Sequence, residues 1–200
     1  MKTMSYAERL IVAADFKPKT KGPQAAESVR AQVLALADNL GGTGVVLKVN
    51  SALRTCGYSL IEEIHRRGLR IFADLKLCDI EATLETDGML LQAVGPELLT
   101  VMCGVGAVAM SRLKAELPDT EVLGVTVLTS LKDTDTQRLY GCSVDEAVMR
   151  FAQEAADAEI DGLISSPAEV QKLREKFGDI FSYNTPGIRP LCSIVDGDDQ

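Results

Sequence analysis

Histidine occurs once in this chain and tryptophan not at all. The single imidazole, in Ile64-His65-Arg66-Arg67-Gly68, leaves no Ser-His-Asp triad to build, and a favourable dipole contact near a helix C-terminus is the better explanation of its presence. Cysteine is sparse and scattered. Cys56, Cys78, Cys103, Cys142 and Cys192 are odd in number and form no C-x-x-C pair, so neither a disulfide framework nor a zinc site is suggested, and a reducing compartment fits best. Long apolar runs are missing too: nothing approaches the roughly 18 residues that span a bilayer, and residues 1–9 lack the apolar core of a signal peptide. The expectation is a soluble, cytoplasmic protein. Positive charge is in deficit, with 21 Lys and Arg against 29 Asp and Glu and a net charge of −8, which argues against nucleic acid or an anionic membrane as the main partner. Any anionic ligand must therefore be held by local positive features.

What is present is the balance of an ordinary globular protein, 46% hydrophobic and 25% charged. No repeat, low-complexity tract or linker interrupts it, so residues 1–200 read as a single domain. Short runs rich in branched residues alternate with longer stretches of helical period. Residues 10–15, 44–49, 69–75, 98–103, 121–128, 161–165 and 180–185 read as seven strands. Between them, Val144, Ala147, Val148, Phe151 and Ala155 share one helical face, as do Val170, Leu173 and Phe177. Ser166 is placed to cap the second of these helices, with Pro167 at its first position, Glu169 completing a capping box and Gly178 at its end.

Strands alternating with helices imply a parallel sheet, open and doubly wound or closed into a barrel. Polar residues favour the barrel, because Asp15, Lys48, Asp74 with Lys76, Ser130 and Thr185 fall at or just beyond the C-terminal ends of different strands. Those ends converge on one site in an α/β barrel, whereas an open sheet gathers ligands at its switch point. In Ala73-Asp74-Leu75-Lys76-Leu77-Cys78-Asp79-Ile80, two carboxylates and an ammonium follow an apolar strand; two apart on an extended chain, Asp74 and Lys76 are expected on the same side. D-x-K-x-x-D alone is a weak pattern, often an exposed ion-pair patch. With Lys48 and Asp15 it becomes an alternation of cations and anions in which each charge keeps its neighbour ionised. Other readings stay open: Lys48 as a snorkelling strand-end lysine, Asp15 as a helix or turn cap, and Thr185-Pro186 as strand termination.

These segments resemble the orotidine 5'-phosphate decarboxylase family. The resemblance rests on Leu10-Ile11-Val12-Ala13-Ala14-Asp15, Leu47-Lys48-Val49, Asp74-Leu75-Lys76-Leu77-Cys78-Asp79-Ile80 with Thr83, Val125-Thr126-Val127-Leu128-Thr129-Ser130, and Thr185-Pro186-Gly187-Ile188-Arg189-Pro190, in the family's order across essentially the whole chain. It implies a (β/α)8 TIM-type barrel that dimerises, with active sites at the subunit interface and no metal or organic cofactor. It also implies decarboxylation of orotidine 5'-monophosphate to UMP and CO2 in pyrimidine biosynthesis. By position, Lys48, Asp74 and Lys76 are the catalytic residues of one subunit and Asp79 reaches into the partner's site. Asp15, Thr83, Ser130, Pro186, Gly187 and Arg189 bind substrate, Asp15 through the ribose and Ser130 through the pyrimidine.

The chain departs from the family pattern in places. Glu81-Ala82 stands where Pro-Asn is usual, Met102 where a strand commonly ends in His, Asn50 in place of a common Gly, and Leu191 in place of a Gln that bridges phosphate and pyrimidine. An eighth strand with its phosphate-clamping Val-Gly-Arg segment finds no counterpart before Gln200, so the barrel is expected to be incomplete at its C-terminus. Two alternatives follow: a catalytically impaired nucleotide-binding or scaffold homologue, and a metal-dependent sugar-phosphate decarboxylase or aldolase of the same barrel superfamily, which also uses D-x-K-x-x-D.

Overall fold

Branched and apolar residues in short uninterrupted runs form strands that are buried on both faces, which is how a parallel sheet covered by helices reads. The computed structural model describes residues 5–188. Its strands are β1 (Ile11–Ala13), β2 (Val46–Val49), β3 (Arg70–Leu77), β4 (Leu98–Met102), β5 (Glu121–Val125), β6 (Gly162–Ile164) and β7 (Ser182–Asn184), one within each expected run except that β3 continues to Leu77. They form one parallel sheet in the order β1-β2-β3-β4-β5-β6-β7. That order has no switch point, so the doubly wound alternative is excluded and the barrel reading holds. Among the described residues β1 and β7 are the sheet's two edges. Leu191, Cys192 and the rest of residues 189–200 lie outside the described residues.

The connections are helical: α1 (Ala25–Leu40), α2 (Ser51–Cys56), α3 (Ser59–His65), α4 (Glu81–Gln92), α5 (Ala107–Ala115), α6 (Asp133–Tyr140), α7 (Val144–Asp157) and α8 (Pro167–Phe177). Caps fall where the sequence puts them. Ser166 and Glu169 form the capping box of α8 and Gly178 ends it; Ser143 and Glu146 do the same for the start of α7. Among the described residues no helix is long and apolar enough to cross a membrane. His65 ends α3 as expected, and its Nε2 also lies 3.2 Å from Glu97 Oε2.

Strand periodicity divides the apolar residues into two sets. Leu47, Ile71, Leu99, Val122 and Leu163 face the helices in the main core. Val46, Phe72, Leu98 and Leu123, with Ile11 and Ile164, form a separate inner cluster. Burying each large member of that cluster contributes about 1.5–3 kcal/mol. Two residues further along three of these strands, on the same inner face, stand Lys48, Asp74 and Thr100. The apolar layer is thus the floor on which the charged residues rest.

Candidate active site

The charged site begins with an irregularity in β3. Ala73 pairs with Leu99 and Leu77 with Val101, so Asp74, Leu75 and Lys76 together oppose the single residue Thr100. Such a bulge turns the strand and frees backbone groups from the ladder. Lys76 adopts φ 48°, the left-handed conformation that is costly for a residue with a Cβ. Its N–H donates to Thr100 Oγ1 at 2.9 Å, and the carbonyl of Leu75 accepts from the Arg54 guanidinium at 2.6 Å. Both freed groups are therefore satisfied by side chains. Asp74 and Lys76 do meet, with Lys76 Nζ 2.6 Å from Asp74 Oδ1, but the extended-chain reason expected from the sequence is corrected here: the bulge and the left-handed turn bring them together.

A line of alternating charge extends from this pair. Lys48 Nζ lies 3.3 Å from Asp74 Oδ2 and 2.8 Å from Asp15 Oδ2, so it joins the ends of β1, β2 and β3. Exposure rises outward from the middle: the Asp74 side chain is 8% exposed, Lys48 19%, Lys76 34% and Asp15 46%. Burial pushes the Asp74 carboxyl up, but the Lys76 hydrogen bond and charge, the Lys48 charge and the Thr100 hydroxyl outweigh it and hold the group below the ordinary carboxylate range. Asp74 is thus a buried anion clamped by two cations. Asp15 pairs with Lys48, so its reading as a helix or turn cap is set aside.

Of the remaining expected residues, those that are described lie outside this network, on loops that follow the strands or, for Thr83, in the first turn of α4. Asp79 is exposed and takes part in none of these ion pairs; its Oδ1 accepts from the Ile80 N–H at 2.8 Å. It faces an open cleft of about 720 Å³ with Ile80 beside it and Gly104, Val105 and Val108 opposite. Ile80 is 70% exposed and Val108 64%, so exposed apolar side chains share this cleft with the carboxylate. Nearby Asp87 has its carboxyl raised, by burial first and then by the charge of Asp79. Thr83 is half-buried in the first turn of α4, and Ser130 is exposed on the turn after β5. Pro186 and Gly187 follow β7, with Gly187 at φ 86°, while Arg189 lies outside the described residues.

Among the departures from the family pattern, Asn50 has a visible local role. Asn50 accepts from the Ser51 N–H and caps α2. Met102 ends β4, and the next residue, Cys103, is fully buried, its thiol pushed up to about 12 by burial and by the charge of Glu154. Tyr58 and Met102 pack as partly buried residues, in keeping with a lining role rather than a reactive one. The residue that sequence reasoning missed is Thr100, whose hydroxyl donates to Asp74 Oδ1 at 3.0 Å. Its signal was a lone hydroxyl in the otherwise apolar run Leu98-Leu99-Thr100-Val101-Met102.

Comparison with known proteins agrees with this fold. Residues 8–200 match the model of the orotidine 5'-phosphate decarboxylase / HUMPS family. The chain is 36% identical over 191 residues to an orotidine 5'-phosphate decarboxylase of Caulobacter sp. (strain K31), covering 95% of this chain and 79% of the relative. It is 37% identical over 194 residues to that of Alkalilimnicola ehrlichii, covering 94% and 77% respectively. Among solved structures, the orotidine 5'-phosphate decarboxylase from Lactobacillus acidophilus superposes with a TM-score of 0.77 at 31% identity, over 90% of this chain and 81% of that one. Family model, sequence relatives and fold converge: this chain belongs to the orotidine 5'-phosphate decarboxylase / HUMPS family.

Proposed function

We propose that the protein is an orotidine 5'-monophosphate decarboxylase, yielding UMP and CO2 in pyrimidine biosynthesis in the cytoplasm, without a metal or organic cofactor. The observation that carries this reading is the buried Asp74 carboxylate held between the Lys48 and Lys76 ammonium groups. A substrate carboxylate bound against Asp74 suffers like-charge repulsion that ends when CO2 departs, so the contact favours the transition state over the bound substrate. As the C6–carboxylate bond breaks, its electron pair stays on C6. The Lys76 ammonium stabilises that developing carbanion and then transfers a proton to it, giving UMP, and the resulting amine regains its proton from solvent. Lys48 keeps Asp74 and Asp15 in place, and Asp15, at the open end of the line, accepts from the ribose hydroxyls. Ser130 addresses the pyrimidine, and the Pro186-Gly187 loop with Arg189 addresses the phosphate.

The active form is a homodimer in which Asp79 serves the partner's site, and Thr83 contacts the substrate. In support, Asp79 stands apart from its own subunit's ion pairs, on a surface where Ile80 and Val108 are exposed. Large exposed apolar side chains around a functional polar group are the mark of an interface. The test is to incubate the protein with orotidine 5'-monophosphate and follow loss of substrate absorbance together with UMP and CO2. Equimolar conversion that survives a chelator is the expected result. Conversion that requires a divalent ion favours the sugar-phosphate class, and no conversion at high protein and substrate concentration favours a non-catalytic homologue.

A further inference from the structure

We infer that Thr100 is a positioning residue of this site: its hydroxyl sets both the backbone of Lys76 and the carboxylate of Asp74, and so fixes the catalytic pair as one unit. The inference rests on the decarboxylase reading for its kinetic consequence, though not for its geometry.

Thr100 is fully buried, on a strand whose neighbours Leu98, Leu99 and Val101 are apolar. A hydroxyl in such a place is costly unless its hydrogen-bonding capacity is used. Here the donor and an acceptor site are both used, and the direction of each bond is forced by chemistry. The Lys76 N–H can only donate, so Oγ1 accepts from it at 2.9 Å. The single hydroxyl proton is then left for Asp74 Oδ1 at 3.0 Å, an ionised oxygen that can only accept. One atom of β4 thereby replaces the ladder partner that the bulge in β3 removed. The branched Thr side chain has few rotamers, which holds that atom still. Arg54 anchors the other side of the bulge through the Leu75 carbonyl. The charged groups facing Asp74 are Lys76 on its own strand and Lys48 on β2, with Asp15 behind Lys48. None of them reaches the Lys76 N–H, so Thr100 is the link between backbone and charge.

The test compares Thr100→Val, which keeps the shape and removes the hydroxyl, with Thr100→Ser, which keeps the hydroxyl, each against the wild-type protein. In Thr100→Val, kcat is expected to fall about ten- to a hundredfold, the loss of one hydrogen bond to a charged group. UMP affinity is expected to stay within about twofold, because the substrate-facing atoms remain. The acid limb of the rate profile moves to higher pH, since Asp74 loses a donor to its ionised form. Thr100→Ser restores rate and limb.

Two readouts stand apart from turnover: hydrogen exchange at the Lys76 amide and titration of the Asp74 carboxyl by carbon NMR. Protection of that amide in wild type and Thr100→Ser, lost in Thr100→Val, supports the inference, as does an upward Asp74 titration in Thr100→Val alone. Wild-type turnover with Thr100→Val equally active and unshifted overturns it, as does Thr100→Ser behaving like Thr100→Val. If the wild type converts no substrate, the decarboxylase reading fails and the two NMR readouts still decide the positioning role. If Thr100→Val does not fold, an unprotected Lys76 amide in the wild type overturns the inference, and a protected one with wild-type behaviour in Thr100→Ser supports it.

Discussion

Asp74 and Lys76 are two residues apart in sequence, and their charged atoms are 2.6 Å apart across a strand that has left its regular course. In an extended strand, residues i and i+2 share a face but stand nearly 7 Å apart. The left-handed turn at Lys76 brings its ammonium back over the carboxylate, and the Thr100 and Arg54 hydrogen bonds hold the chain in that turn. Strain held in this way is typical of sites where geometry serves chemistry rather than stability.

That strain is measurable without substrate. Lys76→Gly and Lys76→Ala both remove the ammonium and differ chiefly in tolerance of φ 48° and in unfolded-chain entropy. Lys76→Gly is expected to be more stable than Lys76→Ala by about 1 kcal/mol, despite the greater freedom of glycine in the unfolded chain. Denaturant titration of the two variants checks this. Equal stability, or a more stable Lys76→Ala, would show that the turn is not under strain.

Asp74 couples the site to pH. Its folded carboxyl lies below the ordinary 3.8, held there by Lys76 and Lys48 against the opposing effect of burial. A carboxyl lowered on folding contributes stability that is complete above its unfolded value and lost as pH falls through the folded one. Replacing Asp74 by Asn leaves Lys48 and Lys76 facing each other at a buried position, and a loss of about 3 kcal/mol is expected near neutrality. The gap between wild type and Asp74→Asn should hold steady from neutrality down to about pH 5 and shrink below it. A gap that widens in acid would contradict the assignment.

Much of this was legible in the sequence, and the exceptions share a cause. Alternating strand and helix runs located β1 to β7, and the Ser166-Pro167-Glu169 signal placed the start of α8 because capping is local chemistry. Lys48, Asp74 and Asp15 could be brought together because strand ends in a barrel converge. The bulge could not be read, since it depends on how β3 and β4 pair. Thr100 was hidden for the same reason: a threonine in a strand is ordinary until the partner strand shows which groups it must satisfy. Asp79 is singled out by the D-x-K-x-x-D motif and the family resemblance; in the structure it joins none of the ion pairs around Asp74.

The interface reading of Asp79 is tested by complementation. Asp79→Ala and Lys76→Ala proteins, each inactive alone, should form hybrid dimers after subunit exchange in which one of the two sites is intact. With random exchange about a quarter of wild-type activity should return, because half the dimers are hybrids with one working site each. No recovery, with exchange proven by mass spectrometry of the native dimers, would remove Asp79 from the partner's site.

The most direct measurement is conversion of orotidine 5'-monophosphate by the wild-type protein and by Lys76→Ala at matched concentration, with UMP binding measured for both. Expected is conversion to UMP and CO2 by the wild type, a loss of at least about a thousandfold in Lys76→Ala, and retained UMP binding, because the ammonium acts on a charge present only as the bond breaks. Conversion by Lys76→Ala at the wild-type rate, or none by the wild type, would contradict the assignment of Asp74 and Lys76 as the catalytic pair.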